Sequence, residues 1–498
     1  MLTHGHIVRL IFGLKLRELR QECRLAPAEL ARACEVSPSY LNEIEKGKKY
    51  PKADKILAFS KALGVSYDQL ISTELPRRLE PIAELLNSKV MQEFPLELYG
   101  LEPAQLLELI ANAPAKMTAF ISTIFEIARN YEMRQEHLFL AALRSYQEMH
   151  DNYFEDLEQE ARAFAARYQL GSSTPANLER LEALLTQEFG YTIDRTTLAS
   201  NPVVVASHLR SLFRPQTKTL LLIPSLNRGQ QAFVLGRELA FSYLKLKERH
   251  YASPNPLQPR SFEEVLNNFR ASYFASALLM DEEALVRDLR RVFGGKRWQP
   301  EALTALLARY DVSAEMLMQR LTSLLPRHFG ISSLFFLRFD EAAAGAGYQL
   351  TKELHLARLH NPHGNELHEH YCRRWVSLRL LAEGREAALP GGLVVLPAAQ
   401  RSHYLGTADE YLCFTLARIG SDPTAPAMSV TVGLRVDETL RQQIKFVADP
   451  TLPLKIVNET CERCPLLDCE VRAAPPVRVE QAQAQASLEA AVAALVAG

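Results

Sequence analysis

The segment from Ser37 to Gly47 constrains the N-terminal part of the chain most tightly, because the sequence specifies both its ends and both its faces. Ser37 followed by a proline is a typical helix start, and Gly47 is a typical helix end. Between them Leu41 and Ile44 lie on one face of the predicted helix, opposite short polar and charged side chains. Further short helical patterns, separated by turn signals, surround it over residues 5–74. The sequence therefore predicts a five-helix bundle, called the head below, whose third helix is amphipathic.

The polar face of this third helix suits a base-reading role. Asn and Ser side chains can bond base edges, and Lys and Arg can contact phosphates. Residues 1–75 carry 12 Lys and Arg against 9 Asp and Glu in a chain of net charge −1, so the basic excess lies in the head. A small helical docking domain with a solvated charged face is the alternative. The candidate DNA-contacting residues are Arg17, Ser37, Ser39, Tyr40, Asn42, Glu43, Lys46, Lys48 and Lys49.

The spacing of apolar and turn residues over 9–72 closely resembles the Cro/repressor (XRE-type) helix-turn-helix family, which implies a DNA-binding head. One departure concerns the start of the second helix. That family often has Ser/Thr-Gln there, whereas this chain has Ala26 and Pro27, so we expect no side-chain cap at that end.

Patterns along the rest of the chain predict three more folded regions and a tail. Residues 75–170 are almost wholly helical in pattern, and we expect them to form a linker and a dimer interface. Residues 171–330 combine helices with a strand-like run at 218–226, and residues 331–476 alternate several strands with one helix. The tail at 477–498 is rich in Ala and Gln, and we expect a loose helix or disorder. The fold class is therefore multidomain α and α/β.

Composition and patterning favour a cytoplasmic globular protein with no membrane partner. An apolar fraction of 47% and a charged fraction of 23% are ordinary for globular domains. No run approaches the roughly 20 apolar residues that a membrane span needs. Arg9 and Lys15 interrupt the opening apolar stretch, and no small-residue cleavage site follows it. In a reducing compartment, closely spaced cysteines do not default to disulfides.

The segment RELAF at 237–241 has the frame of a zinc-peptidase helix without its ligands. Such a helix places two His one turn apart and a Glu beside the first. Here Arg237 and Phe241 stand at the His positions, and Glu238 alone remains. With a strand before it and an AxxFAxxLLM-like stretch after it, the order resembles the ImmA/IrrE metallopeptidase-like domains. In that family a carboxylate before the second stretch completes the site, but the residues at 267–270 include none. The resemblance thus implies a degenerate zincin-like α/β domain with no catalytic zinc and no enzymatic activity.

Three of the seven cysteines, Cys461, Cys464 and Cys469, form a C-x2-C-x4-C loop. This spacing lets thiolates converge on one zinc ion or iron–sulfur cluster, each of which usually takes four ligands. A redox pair or three unrelated thiols are the alternatives. Candidates for a fourth protein ligand are Cys372, His368 and His370, with a non-protein ligand as a further option. The cysteines expected to be small core residues are Cys23, Cys34 and Cys413.

The run CERCPLLDCEVRAAPP at 461–476 resembles the C-terminal signature of the short-chain fatty acyl-CoA regulators, in which a CxxCxxxxC loop precedes an Arg-Ala pair and prolines. The run CRRW at 372–375 resembles a Cys-x-x-Trp element of the same domain. That family joins an XRE-type head, a helical middle, an ImmA/IrrE-like domain and a cysteine-bearing domain. The resemblance therefore spans residues 5–476. It implies a lambda-repressor-like head, a helical linker, the degenerate zincin-like domain and a mixed α/β sensor domain.

The function implied by this resemblance is that of a one-component transcription factor. It would bind a double-stranded operator as a homodimer or higher homo-oligomer, because one head reads only a half-site. It would sense a short-chain acyl-CoA and control genes of central carbon and fatty-acid metabolism. An iron–sulfur or thiol redox-sensing regulator is the alternative, and an ImmA/IrrE-type metallopeptidase ranks below it. A site that binds an acyl-CoA needs cations for the CoA phosphates and an apolar slot for the acyl end. The candidates are Arg373, Arg374 and Trp375, although such a run is as often a surface pair beside a core aromatic.

Overall fold

The computed structural model describes residues 4–72, 123, 135–170, 178–200, 209–253, 259–342, 347–356, 369–387, 393–420 and 427–497. The chain divides into two compact units. One comprises Met1–Tyr146 with Leu257–Leu266, and the other comprises Gln147–Pro256 with Asn267–Gly498. Most of the predicted linker, including residues 75–122, lies outside the described residues, so the linker and dimer-interface assignment stays a prediction.

Five short helices form the head, as predicted. Ser37 caps the third helix, because its Oγ accepts the Tyr40 N–H at 3.1 Å. The second helix has no side-chain cap at Ala26, and the Glu29 carboxylate instead accepts the Ala26 N–H at 2.7 Å. Gly47 has a φ of +69°, and a Cβ there would lie 2.9 Å from the Leu10 Cα, so only glycine fits. The helices are His4–Glu22 (α1), Pro27–Ala33 (α2), Pro38–Glu45 (α3), Ala53–Leu63 (α4) and Tyr67–Ile71 (α5).

The core of the head holds α3 against α1. Leu41 and Ile44 are fully buried among side chains of all five helices. Beside them, Arg20 and Glu45 form a buried ion pair with Nε–Oε1 at 2.6 Å, which joins α1 to α3. Cys34 is buried, as predicted, but the prediction of a core position for Cys23 is wrong. Cys23 follows the last residue of α1, so the apolar stripe of that helix does not extend to it.

The remaining helices and strands follow in chain order. The helices are Gln135–Met149 (α6), Glu155–Arg167 (α7), Leu178–Ala183 (α8), Arg228–Tyr243 (α9), Phe262–Leu279 (α10), Glu282–Gly294 (α11), Glu301–Tyr310 (α12), Ala314–Phe329 (α13), Val376–Ala387 (α14), Glu438–Gln443 (α15) and Val477–Ala497 (α16). The strands are Thr192–Asp194 (β1), Ser211–Arg214 (β2), Thr219–Leu222 (β3), Ala252–Ser253 (β4), Leu334–Glu341 (β5), Tyr348–His355 (β6), Leu393–Tyr404 (β7), Glu410–Gly420 (β8), Met428–Arg435 (β9) and Leu454–Val457 (β10).

Two sheets organise the second unit. The smaller has the order β1-β3-β2-β4, with β1 and β3 parallel and the other pairs antiparallel. The larger has the order β10-β7-β8-β9-β5-β6, and its only parallel pair among the described strands is β10 with β7. The predicted fold class, multidomain α and α/β, is confirmed.

The central strands of the larger sheet, β8, β9 and β5, are buried on both faces. Along β8, Leu412 and Phe414 enter one core with α11 and α13, whereas Tyr411 and Cys413 enter a second core with α14, since successive side chains of a strand point to opposite faces. The prediction that Cys413 is a core residue is confirmed. The Phe414 ring lies 6.3 Å from that of Phe293 on α11, so the predicted domains 171–330 and 331–476 share a core.

The tail forms α16, so of the two expected states the helical one is observed. None of the described helices has the length and apolar content needed to cross a membrane.

Candidate functional site

The exposed face of α3 presents the side chains proposed for DNA contacts. Ser39 and Asn42 are exposed, one turn apart, on the face opposite buried Leu41 and Ile44. Ser37 contributes through its capping bond, which sets the direction in which α3 begins. A helix with one apolar and one polar face packs against its own bundle and presents short hydrogen-bonding side chains at the surface.

Basic residues follow the end of α3. Lys48 and Lys49 are exposed, and Lys46 is half-buried. The Lys49 ammonium lies 2.9 Å from the Glu43 carboxylate and 5.8 Å from the centre of the Tyr40 ring. Glu43 is therefore neutralised within the face, which favours approach to a polyanion. Arg17 is half-buried on α1.

The four predicted thiol ligands, Cys372, Cys461, Cys464 and Cys469, line one pocket, called the cysteine pocket below. Burial raises the pKa of the Cys372 thiol, and the nearby Cys461 and Cys464 act in the same direction. Among the described residues, no group of three His, Cys, Asp or Glu side chains has the arrangement needed to hold a metal ion. The thiols thus share a pocket without ligation geometry, while their number and type match the donor set of zinc or an iron–sulfur cluster.

Backbone pairing brings Cys372 to the cysteine loop across a long stretch of sequence. The Cys372 N–H donates to the Glu459 carbonyl at 3.0 Å, and the Cys461 N–H donates to the His370 carbonyl at 2.7 Å. Between these bonds, Tyr371 and Thr460 form an antiparallel bridge. The fourth thiol is therefore positioned by a two-segment ladder rather than by chance proximity.

Side chains reinforce this ladder. The Glu369 carboxylate accepts hydrogen bonds from Thr460 Oγ1 at 2.8 Å and Arg463 Nε at 2.7 Å. His370 Nδ1 lies 2.8 Å from the Glu462 carboxylate, so the ring of this candidate ligand is paired with an acid. His368, the other candidate, lies outside the described residues.

Arg472 fixes the cysteine loop, a role that sequence reasoning missed. Its guanidinium donates to the backbone carbonyls of Cys461 at 2.7 Å, Cys464 at 2.9 Å and Leu466 at 2.5 Å. The next residue, Ala473, donates its N–H to Cys461 Sγ at 3.3 Å. The only sequence signal was the position of this arginine just after the third cysteine.

The three predicted ligand-binding residues separate into two environments. Arg373 and Arg374 line the cysteine pocket. Arg373 stacks 4.7 Å from the centre of the Tyr348 ring, and Arg374 donates to the Ile456 carbonyl at 3.3 Å. Trp375 instead is buried in the core beneath α14.

Two arginines, Arg237 and Arg249, form hydrogen bonds around the segment 237–241, which has the spacing of a zinc-peptidase helix. Arg249 donates to the Glu238 carboxylate at 2.8 Å, and both side chains are buried. Arg237 donates to Asn268 Oδ1 at 2.9 Å, which joins the first His position of the frame to the segment 267–270. Burial lowers the pKa of the Arg237 guanidinium to about 10, with nearby Glu238 opposing that shift. The group is still a cation at neutral pH.

Two family models match the chain. The model of a helix-turn-helix domain covers residues 11–71, and that of an IrrE N-terminal-like domain covers residues 197–322. Neither extends to the cysteine pocket.

Two relatives match most of the chain, and a third matches a short segment. The HTH-type transcriptional regulator PrpR of Mycobacterium tuberculosis is 24% identical over 498 residues, covering 94% of this chain and 92% of the relative. A protein named propionyl-CoA carboxylase regulator in Cereibacter sphaeroides is 23% identical over 501 residues, covering 94% and 95%. Control protein C.BamHI of Bacillus amyloliquefaciens is 35% identical over 65 residues, which are 13% of this chain and 80% of that protein.

The head, the IrrE-like region and these relatives define a class, the helix-turn-helix transcriptional regulators. Within that class the chain resembles the XRE-type regulators and combines such a head with an IrrE-like domain.

Proposed function

We propose that this chain is a DNA-binding transcriptional regulator that senses a short-chain acyl-CoA and controls genes of central carbon and fatty-acid metabolism. The observation that carries DNA binding is the division of α3, where Leu41 and Ile44 are buried while Ser39 and Asn42 are exposed. A helix of this kind places its polar side chains in the major groove. The relative named propionyl-CoA carboxylase regulator supports a metabolic target.

The regulator acts as a homodimer in this proposal. One head of five short helices reads a half-site only, and an operator with two half-sites requires two heads. DNA binding also agrees with the cytoplasmic location expected from the sequence.

Arg373 and Arg374 are the proposed contacts for the effector. Both line the cysteine pocket, and guanidinium groups bind the phosphates of a nucleotide in a bidentate manner. Trp375 is assigned a supporting role, because it is buried and packs 6.0 Å from the Phe339 ring. Effector binding would shift the operator-bound population only if the ligand favours one arrangement of the heads.

The cysteine pocket supports a second candidate signal. Cys372, Cys461, Cys464 and Cys469 are the side chains that would hold zinc or an iron–sulfur cluster there. Zinc would be structural, whereas a cluster would make the same operator binding sensitive to oxidants. Arg472, through its carbonyl bonds, would keep the loop in place around either group.

A peptidase function is disfavoured by the state of the former zinc site. Glu238 is held by Arg249 in a buried ion pair, so it is not available as a general base. Arg237 and Phe241 offer no donor atoms suited to zinc.

Gel-shift titration of the chain against its own upstream DNA, with acetyl-, propionyl- and butyryl-CoA, tests the sensing part. We expect one acyl-CoA to change the shift, and an Arg373→Gln/Arg374→Gln variant to lose that response while binding DNA normally. Arg379→Gln on α14, whose arginine pairs with Glu383 on the same helix, is the matched control. If Arg237→Gln lost the response instead, the effector site would be assigned to the region of the segment 237–241. No response to any acyl-CoA would refute sensing and leave DNA binding standing.

A further inference from the structure

Two arginines project from the same face of the larger sheet, on either side of β9. Arg338 on β5 is opposite Val430, and Arg418 on β8 is opposite Met428, two residues away on the same strand. Met428 and Val430 both belong to the core that the sheet shares with α11 and α13. Because directly opposed residues of neighbouring strands stand on the same face, both guanidinium groups lie on the side of the sheet that faces α13.

The carboxylates beside these arginines already have partners. Arg338 donates to the Glu315 carboxylate at 3.0 Å and to the Asp340 carboxylate at 2.9 Å. Lys352 on β6 forms a second ion pair with Glu315. Both acids are therefore paired with Arg338 or Lys352 and do not neutralise Arg418.

Arg418 and Arg210 are half-buried, and among the described residues neither side chain has a hydrogen bond or an ion pair. Arg210 lies directly before β2, where its N–H donates to the Ser253 carbonyl at 2.7 Å. The Ser253 hydroxyl accepts a hydrogen bond from Arg237 at 2.8 Å, so Arg210 also has a cation on the side of α9. Two guanidinium groups from separate segments are thus left without an acceptor.

The charges around Arg418 do not balance. Arg210, Arg338, Arg418 and the lysine on β6, called the arginine cluster below, face only two carboxylates, an excess of two positive charges. Burial lowers the pKa of the Arg418 guanidinium, and the charges of Arg210 and Arg338 lower it further. Asp340 and Glu315 oppose this shift, but each acts more weakly than either arginine. Since arginine stays protonated in proteins and partly buried charges are normally paired, the arginine cluster is suited to an anion.

The unpaired groups favour an anion with several oxygens. A guanidinium donates two parallel hydrogen bonds to a phosphate, and arginine is preferred at phosphate sites for that reason. A single carboxylate would neutralise only half of the excess charge of the arginine cluster. A phosphate dianion or a diphosphate group would neutralise all of it and could accept hydrogen bonds from both Arg210 and Arg418.

We propose that Arg210 and Arg418, with Arg338 beside them, bind the phosphate or diphosphate group of a small molecule. Arg210 lies in the IrrE-like region, whereas the other two lie on the larger sheet, so the bound anion would link these two parts of the second unit. The site is separate from Arg373 and Arg374, which line the cysteine pocket. It does not depend on the acyl-CoA proposal.

Calorimetric titration with pyrophosphate tests the site in the full chain. All samples carry Arg373→Gln/Arg374→Gln, which removes the other proposed phosphate contacts. Arg418→Gln is compared with Arg435→Gln, which removes an arginine paired with Asp409 at the opposite end of the β8–β9 pair. We expect Arg418→Gln to raise the pyrophosphate dissociation constant roughly tenfold or more, and the control to leave it unchanged. Equal dissociation constants in the two variants, or no binding to the chain without either change, would overturn the proposal.

Arg210→Gln makes the same test from a different segment, so the proposal stays testable if Arg418→Gln does not fold. We expect a similar loss of affinity, and an unchanged affinity would refute a site shared by the two segments. Titration with ADP identifies the source of the diphosphate. Tighter binding of ADP than of pyrophosphate would indicate a nucleotide ligand, and weaker binding would indicate a free diphosphate. In both cases the proposal requires that Arg418→Gln weaken binding.

Discussion

Arg249 donates two hydrogen bonds to Glu238, one of them at 2.8 Å, and its guanidinium lies 3.7 Å from the centre of the Phe241 ring. The carboxylate that serves as a base in a zinc peptidase is here one half of a structural ion pair. Arg249 also lies over Phe213 of the small sheet, so this one side chain joins α9 to β2. The segment with the spacing of a zinc-peptidase helix therefore serves here as a packing element.

Breaking the pair of Glu238 and Arg249 should lower the free energy of unfolding strongly, whereas replacing both partners should lower it little. Arg249→Met leaves the Glu238 carboxylate buried and unpaired, and we expect the free energy of unfolding to fall by about 3–5 kcal/mol. The double variant Glu238→Gln/Arg249→Met should recover most of that loss, since neither partner then leaves the other as an unpaired charge. Urea unfolding followed by circular dichroism measures both. Arg228→Met, which breaks an exposed pair with Glu179, is the control and should change the unfolding midpoint little.

Two substitutions in the head should have different signatures in DNA binding. Lys48→Gln should weaken binding to all sequences and lower the salt dependence by about one counterion, because it removes a proposed phosphate contact. Asn42→Ala should cost about 1–3 kcal/mol on the preferred operator and relax the base preference at one position. Fluorescence anisotropy at several salt concentrations separates the two effects. Lys61→Gln on α4 is the control, and an identical salt slope for Lys48→Gln and the unchanged head would contradict the phosphate assignment.

The cysteine pocket allows a paired test of ligation. Cys372→Ser should lower the zinc or iron content of anaerobically purified protein, because it removes one of the four thiols that line the pocket. Cys413→Ser is the matched control, since that thiol lies on β8 in the core shared with α14 and burial raises its pKa to about 12. Metal analysis and visible absorption give the readout. Equal metal content in the two variants would exclude Cys372 as a ligand.

The attachment of α13 to the larger sheet should be acid-sensitive. Burial alone would raise the pKa of Glu315, but Lys352 and Arg338 outweigh it and lower that pKa from 4.5 to about 2. Because the folded state keeps this carboxylate ionised more readily than the unfolded chain does, its stabilisation is present above about pH 4.5 and is lost as the pH falls towards 2. Glu315→Gln should therefore flatten the pH dependence of the unfolding midpoint in this window. Glu383→Gln at the exposed end of α14 should leave the dependence unchanged.

The sequence predicted local structure well where a local cause determines it. Ser37 and Gly47 bound α3 through a side-chain cap and a left-handed backbone position, and both follow from residue type alone. The apolar run of β8 and the helical pattern of α14 were also recognisable. Cys23 was misassigned because its burial depends on where α1 ends.

Long-range relationships could not be read from the sequence. The ladder between residues 369–372 and 459–461 joins segments that are far apart in the sequence, so Cys372 could be suggested as the fourth thiol but not positioned. Arg472 was visible as part of a motif, yet its bonds to three carbonyls depend on the shape of the loop. The pair of Glu238 and Arg249 likewise joins residues whose spacing carries no recognisable signal.

The ladder between residues 369–372 and 459–461 also makes the donor set of the cysteine pocket depend on tertiary structure. Three thiols lie together in the cysteine loop, but the fourth joins them through the pairing of Tyr371 with Thr460. A chain in which these two segments are unpaired offers a metal or cluster an incomplete set of donors. Pairing of the two segments and completeness of the donor set are therefore thermodynamically linked.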